Sequence, residues 1–465
     1  MQMTLRIYNS LSKQLEEFKP LDPNDVKMYL CGPTVYDYVT IGNFRTYTLG
    51  DFMYRVLKSN NYTVKYIMNL TDVGHLMGDN AGVPDEGDDR LEFAAEKEGK
   101  SAKEIANFYI ADFMKAYEKL NLVKPKKFTR ASEYIQEQID VIRLLEQKGY
   151  TYETSDGLYF DTAQFPKYGE LSGLTSKTVK EGARVEVNPE KRNPTDFSLW
   201  KFSPKDKMRW QEWNSPWGVG FPGWHIECTA MSMKELGTTI DIHLGGEDLR
   251  MIHHQNEIAQ SECATGKEFA RYWVHGAFLQ VDDGRMGKSL GNAYTVSDIE
   301  DKGFPPLALR YFYMSSHYRS KLNFTWESLA SSATALNKMY DIVSTYEENK
   351  HAAAETEYLD RFYAALNDDL NFPKAVSVVW DLLKSNVAES SKIVTLLRMD
   401  DILGLNLVDH VGFEIPADVA NLAKMRDYYR RSGIWDKADQ LRRQIEAAGY
   451  VVEDSKDIYK VKRKL

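Results

Sequence analysis

Four residues of this 465-residue chain make a donor set able to hold a metal. Cys31 and Cys228 are the two of its three cysteines that stand beside turn signals, Gly32-Pro33 after the first and Pro222-Gly223 before the second. His253 and Glu257 are spaced i, i+4, which puts both on one face of a helix. Zinc accepts thiolate, imidazole and carboxylate together. The four are distant in sequence and lack a Cys-x-x-Cys spacing, so only the fold can gather them. His254 is expected to point elsewhere, and the third thiol, Cys263, to be a buried structural one.

Three further stretches carry chemistry. In Gly284-Arg-Met-Gly-Lys-Ser-Leu-Gly-Asn292 two fixed cations, Arg285 and Lys288, sit in a glycine-containing loop. Such a loop can close over a triphosphate and neutralise charge as pyrophosphate leaves. Lys288, between Gly287 and Ser289, has the small neighbours that let it reach inward; the same composition also suits an exposed turn. Gly245-Gly-Glu-Asp248 follows a strand pattern, and Asp248 there can take ribose hydroxyls or cap a tight turn. Residues 26–31 read as a strand, and Thr40-Ile-Gly-Asn43 leads into apolar positions at Leu49, Phe52, Met53, Val56 and Leu57, which is helical spacing. A loop feeding a helix N-terminus presents free N–H groups and the helix dipole to an anion. Gly42 lets a phosphate or base come close to the backbone.

The length implies two to four domains around these residues. With 27% charged and 43% hydrophobic residues the chain is globular. No apolar run approaches the ~18 residues of a membrane span. The opening Met-Gln-Met-Thr-Leu-Arg carries no leader pattern and the cysteines suggest no disulfide framework, so a cytoplasmic chain is expected. A net charge of -9 argues against nonspecific nucleic-acid binding. A local patch from Lys424 to Arg443 and a basic tail run the other way, and charge pattern alone reads that patch as a solvated helix face.

The first ~120 residues alternate strand and helix, with a second strand at 62–69, a polar loop after it, an acidic loop at 79–89 and helix over 90–120. A Tyr-, Gly- and Lys-rich segment follows the helix at 131–148 and reads as an insertion. Strand 239–243, the Gly245-Gly246 turn, a helix from about 252 and a strand at 276–281 form a second α/β half. Beyond residue 306 the pattern is helical: 307–314, 326–346, 357–367, 373–384 and two short helices within 416–449, with a linker at 349–355 and an irregular basic tail. Strands alternating with helices imply a parallel sheet with ligands beyond the strand ends.

In order, these motifs resemble those of the cysteinyl-tRNA synthetases, a class I aminoacyl-tRNA synthetase family, along essentially the whole chain. Cys31-Gly-Pro-Thr-Val-Tyr-Asp-Tyr38 with Ile41-Gly-Asn43 resembles the HIGH segment, and Arg285-Met-Gly-Lys-Ser289 the KMSKS loop. Asn69-Leu-Thr-Asp72, Gly182-Ala-Arg-Val-Glu-Val187, residues 191–200, Pro222-Gly-Trp-His-Ile-Glu-Cys228, Gly245-Gly-Glu-Asp248, His253-His254 and Asn256-Glu257 are similar as well. Asp368-Asp369-Leu-Asn-Phe-Pro373 and Ala438-Asp439-Gln-Leu-Arg442 resemble the family's tRNA-binding parts, which turns the basic patch into a tRNA contact.

The resemblance implies that L-cysteine and ATP, with magnesium, form cysteinyl-adenylate, and that the cysteinyl group passes to the 3′ end of cysteine tRNA. It implies one zinc on Cys31, Cys228, His253 and Glu257, which takes the substrate thiolate where the serine hydroxyl is a poor ligand. Ordinary pockets separate near-isosteres by only ~1–3 kcal/mol, so a metal–sulfur bond removes the need for editing. By position, Gly42, Gly245, Asp248, Arg285 and Lys288 bind ATP; Lys288, Thr40 and Asn43 are catalytic; Thr71 and Trp224 shape the cysteine pocket. The implied architecture is a Rossmann-type catalytic domain (1–123 and 217–305) interrupted by a connective insertion (124–216). A helical tRNA-binding bundle (306–410) and a small anticodon-binding domain (411–465) follow, in a monomer with no membrane contact.

Four positions depart from the family pattern. Thr40 and Asn43 replace the two histidines of HIGH, Arg285 the first lysine of KMSKS, and Gly287 its first serine. Losing one donor to developing charge can cost on the order of 10²–10³ in rate, unless the Thr40 hydroxyl takes over. Two alternatives follow: a ligase joining cysteine to a small amine, against which the helical bundle speaks, and a catalytically weak tRNA- or nucleotide-binding paralogue, against which the metal set and Lys288 speak.

Overall fold

The computed structural model describes residues 4–73, 90–173, 188–204, 209–287, 290–344, 352–412, 415–454 and 459–463. The expected acidic loop at 79–89, the stretch 182–187, Lys288, Ser289 and the first part of the linker lie outside the described residues.

Five parallel strands form the central sheet, in the order Ala270–Gly276, Ile240–Gly246, Val26–Leu30, Val64–Leu70 and Lys127–Arg130. The first of these in the chain stands in the middle; the next two run outward on one side, the last two on the other. The winding therefore reverses between Val26–Leu30 and Ile240–Gly246, where a doubly wound sheet opens a crevice beyond its carboxyl ends. Alternation along Val26–Leu30 sorts side chains between two cores. Met28 and Leu30 join Phe44, Met53 and Val56 of the helix Ile41–Ser59. Tyr29 and Cys31 join Ile142, Ile226 and Ile258 of the helices Ile135–Gln147, Trp224–Leu236 and His253–Thr265. Cys31 thus follows its strand facing the helices that carry Cys228, His253 and Glu257.

The insertion is an antiparallel sheet, in the order Thr151–Thr154, Gly157–Phe160, Phe197–Phe202, Gly218–Pro222 and Trp213–Ser215. Two expected edges move by one strand each. Lys127–Arg130, placed beyond the edge at 123, pairs with Val64–Leu70 in the central sheet; four residues of mixed polarity give no apolar run to read. Gly218–Pro222, placed in the second catalytic half, pairs with Phe197–Phe202 in the insertion. The expected strand at 276–281 is two, Ala270–Gly276 and Leu279–Val281. Gly245 and Gly246 do not turn the chain: they finish Ile240–Gly246, which passes directly into the short helix Glu247–Met251.

The helices Pro306–Tyr313, Trp326–Ser344, Thr356–Asn367, Phe372–Lys384 and Glu389–Leu403 follow, the last of them unread in the sequence. Arg310 ties them to the catalytic half. Fully buried, it pairs with Asp51 of the helix Ile41–Ser59 and donates to the Leu403 carbonyl at 2.6 Å and the Leu120 carbonyl at 3.1 Å. The helices Ala417–Arg431 and Trp435–Ala447 enclose a small separate core of Val419, Ala423, Ile445 and Val452. The tail expected to be irregular is an antiparallel hairpin, Tyr450–Asp454 with Tyr459–Arg463. Among the described residues no helix is long and apolar enough to cross a membrane.

Candidate active site and metal centre

The helix His253–Thr265 ends at Gly266, whose left-handed φ of 74° releases the chain. One turn at its start puts His253 Nε2 3.1 Å from Glu257 Oε1. Cys31 Sγ arrives from the sheet, 3.8 Å from Cys228 Sγ and 3.8 Å from Glu257 Oε1. Tetrahedral zinc with thiolate and imidazole ligands keeps its donors about 3.3–3.8 Å apart, so these four fit that ion in chemistry and spacing. A second set shares two of them: Cys31, His243, His254 and Glu257 also place their donor atoms within 4.8 Å of one another. His254, expected to point away, has its Nε2 3.3 Å from Cys31 Sγ. The helix is buried on every side here, so it has no outer face to which His254 could turn.

An outer ring of imidazoles orients this cluster. His243 Nε2 meets the other carboxylate oxygen of Glu257 at 2.8 Å, His253 Nδ1 meets His225 Nδ1 at 3.0 Å, and His254 Nδ1 meets His275 Nε2 at 2.8 Å. Metal-binding histidines and carboxylates are characteristically held in this way by a further partner. The protonation states are set by the same contacts. Burial lifts the Cys31 thiol well above its usual range, with Cys228 adding to it. Burial also opposes the Cys228 thiolate, but its hydrogen bond with Cys31 and the charge of His253 bring it down to about 6. Burial works against His253⁺, yet Glu257 and Cys228 raise that imidazole to about 10. Glu257, despite burial, falls to about 2 beside His243 and His253. Burial, then His243 and His275, keep His254 neutral.

The second feature is a cavity of about 610 Å³ on the other side of the switch point. Its wall runs from Thr40, Gly42, Asn43 and Thr46 at the start of the helix Ile41–Ser59, through Gly246 and Asp248, to residues 276–280 and 285–287. A Cβ on Gly42 would lie 3.1 Å from Met286 Sδ, so the methionine side chain would have to shift to admit one. Arg45, buried beneath the wall, donates to the Ala277 and Phe278 carbonyls at 2.7 and 2.8 Å. Its second nitrogen reaches the Ser320 carbonyl at 2.6 Å. Asn292 bridges the ends of the loop, accepting from the Gly287 N–H at 2.8 Å and donating to the Arg285 carbonyl at 3.1 Å. Burial raises the Asp248 carboxyl, with its own and the Leu249 N–H pulling it down.

Residues 17–334 match the family model of the class I (C) tRNA synthetase catalytic domain, and residues 361–407 match the DALR domain. A protein of Burkholderia lata named cysteine–tRNA ligase 1 is 44% identical over 456 residues, 97% of this chain and 96% of its own length. The chain belongs to the cysteine–tRNA ligase family. A cysteine–tRNA ligase of Treponema denticola is 39% identical over 486 residues, 97% of this chain and 98% of that one. Among solved structures, methionyl-tRNA synthetase of Mycobacterium tuberculosis in complex with methionyl-adenylate superposes with a TM-score of 0.56. The match covers 83% of this chain and 91% of that one at 14% identity, a likeness of fold.

Of the residues expected to serve a cysteine–tRNA ligase, the structure gathers Cys31, Cys228, His253 and Glu257 in one cluster, and Thr40, Gly42, Asn43, Asp248 and Arg285 around one cavity. Trp224 packs its ring 4.4 Å from that of His253. Thr71 sits across from Thr34, its hydroxyl accepting from Asn69 Nδ2 at 3.1 Å. Gly245 stands apart from the cavity wall, which Gly246 lines instead. A Cβ on Gly245 would lie 2.6 Å from His254 Cε1, so that glycine makes room for the imidazole. Lys288 lies outside the described residues. The sequence alone singles out none of His243, His275 and Arg45, and it turns His254 away from the cluster that it joins. A histidine inside the apolar strand pattern Ile240-Asp-Ile-His243 was the one available signal.

Proposed function

We propose that this chain is an ATP-dependent ligase joining L-cysteine to cysteine tRNA, with zinc on Cys31, Cys228, His253 and Glu257. The observation that carries this reading is the adjacency of a donor cluster with two cysteines and a nucleotide-sized cavity at one switch point. Two thiolates favour zinc on this set over the set with one, because sulfur is the softer donor. When bound, zinc supplies a soft Lewis acid that accepts a substrate thiolate and discriminates against a hydroxyl. Trp224 and Thr71 shape the surrounding pocket.

ATP lies along the cavity, with its ribose at Asp248 and its phosphates towards Gly42 and Asn43 at the helix N-terminus. The cysteine carboxylate attacks the α-phosphorus, the bond to the bridging oxygen breaks, and pyrophosphate leaves with its magnesium. Arg285 and Lys288 offset the charge that builds on the departing phosphates. The terminal ribose hydroxyl of the tRNA then attacks the acyl carbon and AMP departs. The helical bundle at 306–410 and the unit at 411–465 hold the tRNA; the enzyme acts as a cytoplasmic monomer.

With zinc and magnesium-ATP, purified protein is expected to show cysteine-dependent pyrophosphate exchange and to charge cysteine tRNA. Metallated protein that shows no exchange overturns the reading. Exchange without tRNA charging points to a small-amine acceptor instead.

A further inference from the structure

The hydroxyl of Thr40 is already committed. Its oxygen accepts from the Asn43 N–H at 3.4 Å, and its proton goes to Asn43 Oδ1 at 2.8 Å. The Thr40 N–H approaches the same Oδ1 from 3.3 Å. Two donors converging on one atom identify it as the carbonyl oxygen of the amide. The Nδ2 group is therefore the free edge of this capping box. Asn43 is exposed, and both residues line the nucleotide cavity. The box itself is anchored: Thr40 forms a β-bridge with Thr295, and the Ile41 N–H donates to the Tyr294 carbonyl at 2.8 Å.

An unrestrained asparagine presents either edge of its amide. Carbonyl oxygen towards a triphosphate is repulsive; N–H₂ towards it is attractive. Fixing that choice before ATP arrives is preorganisation, which costs nothing at the moment of reaction. We propose that Thr40 is a positioning residue that makes no contact with ATP and locks the Asn43 amide with Nδ2 towards the phosphates. One oriented amide then serves where the family pattern has two imidazoles. The proposal rests on the ATP-activating reading above, and wild-type pyrophosphate exchange tests that reading separately.

A double-mutant cycle in the zinc-loaded full chain tests it. Asn43→Ala is expected to lower kcat for pyrophosphate exchange by about 10². Thr40→Val, which keeps the branched shape and removes the hydroxyl, is expected to lower it by about tenfold or more, since misplacing a contact group costs on that order. Because Thr40 acts only through Asn43, the double variant is expected to match Asn43→Ala alone. Thr40→Ser restores the hydroxyl and is expected to restore the rate, with KM for cysteine unchanged throughout. A double variant that loses the product of the two single effects means Thr40 meets ATP itself, and overturns the proposal. So does a Thr40→Val enzyme with wild-type rate, or a Thr40→Ser enzyme as slow as Thr40→Val. Should Thr40→Val fail to fold, Asn43→Asp decides. It keeps the oxygen that Thr40 binds and removes the donor, so exchange is expected to fall by about 10² at unchanged melting temperature. Undiminished exchange there overturns the proposal.

Discussion

Replacing Cys228 by serine removes one donor from a cluster that has no slack. Cys228 is 1% exposed and its sulfur stands 3.8 Å from that of Cys31. Structural zinc in small peptides contributes ~10–16 kcal/mol through four ligands, or roughly 2.5–4 kcal/mol for each donor. A serine hydroxyl stays protonated at neutral pH and recovers little of this. Zinc affinity should therefore fall by about 10²–10³-fold, and cysteine binding should fall with it. Equilibrium dialysis against graded chelator, with metal read by atomic absorption, measures the first; KM for cysteine in pyrophosphate exchange measures the second. The companion variants separate the two overlapping donor sets. On the proposed set, His253→Gln should lose metal alongside Cys228→Ser, while His254→Gln should keep one equivalent. The reverse outcome, with metal retained in Cys228→Ser and lost in His254→Gln, would refute the assignment in favour of Cys31, His243, His254 and Glu257.

The metal-free site should also release protons on loading. Cys31 is held as a thiol and His253, raised to about 10, as an imidazolium, whereas Cys228 at about 6 and Glu257 at about 2 are already anions at pH 7.5. Zinc uptake should release about two protons, so affinity should weaken about 10²-fold for each unit of falling pH near neutrality; an indicator-dye titration reads this directly. Arg310→Met strips a buried carboxylate of one partner and leaves the Leu403 and Leu120 carbonyls unpaired. The cost should be about 3–5 kcal/mol, seen as a melting temperature lower by roughly 3–5 °C; an unchanged melt would deny the joint its role. Asp248→Asn exchanges a charge-assisted hydrogen bond for a neutral one, and kcat/KM for ATP should fall by about tenfold, with KM for cysteine nearly unmoved.

Legibility differed from residue to residue, for physical reasons. His253 and Glu257 announced themselves because i, i+4 spacing means one face whatever the tertiary context, and their 3.1 Å approach follows. The strand before Cys31 was readable as an apolar run. His254 was not, because the usual inference from helix face to solvent fails in a helix buried all round: His253, His254, Gln255, Asn256 and Glu257 are all 2% exposed or less. Lys127–Arg130 and the C-terminal hairpin escaped because their pairing partners, not their own patterns, make them strands. The shared oxygen that commits the Thr40 hydroxyl is likewise a matter of three-dimensional geometry. The sequence offers Thr-x-x-Asn, from which a free hydroxyl and a committed one look alike.

The metal cluster and the nucleotide cavity have to lie one amino acid apart, and the sheet sets that spacing. Leu30 pairs with Leu244 on the neighbouring strand and the Cys31 N–H donates to the Leu244 carbonyl at 3.0 Å, so Cys31 stands level with Gly245. Gly246, the next residue along that strand, lines the cavity. One residue of strand advances about 3.3 Å. On the proposed reading, a substrate whose thiol is held at Cys31 and whose carboxylate must reach the α-phosphate has only a short gap to bridge. The cluster end depends on a glycine: Gly245 yields room to the His254 imidazole behind it. The reversal of winding between Val26–Leu30 and Ile240–Gly246 is what lets one chain present a thiolate cluster to one side of that gap and a helix N-terminus to the other.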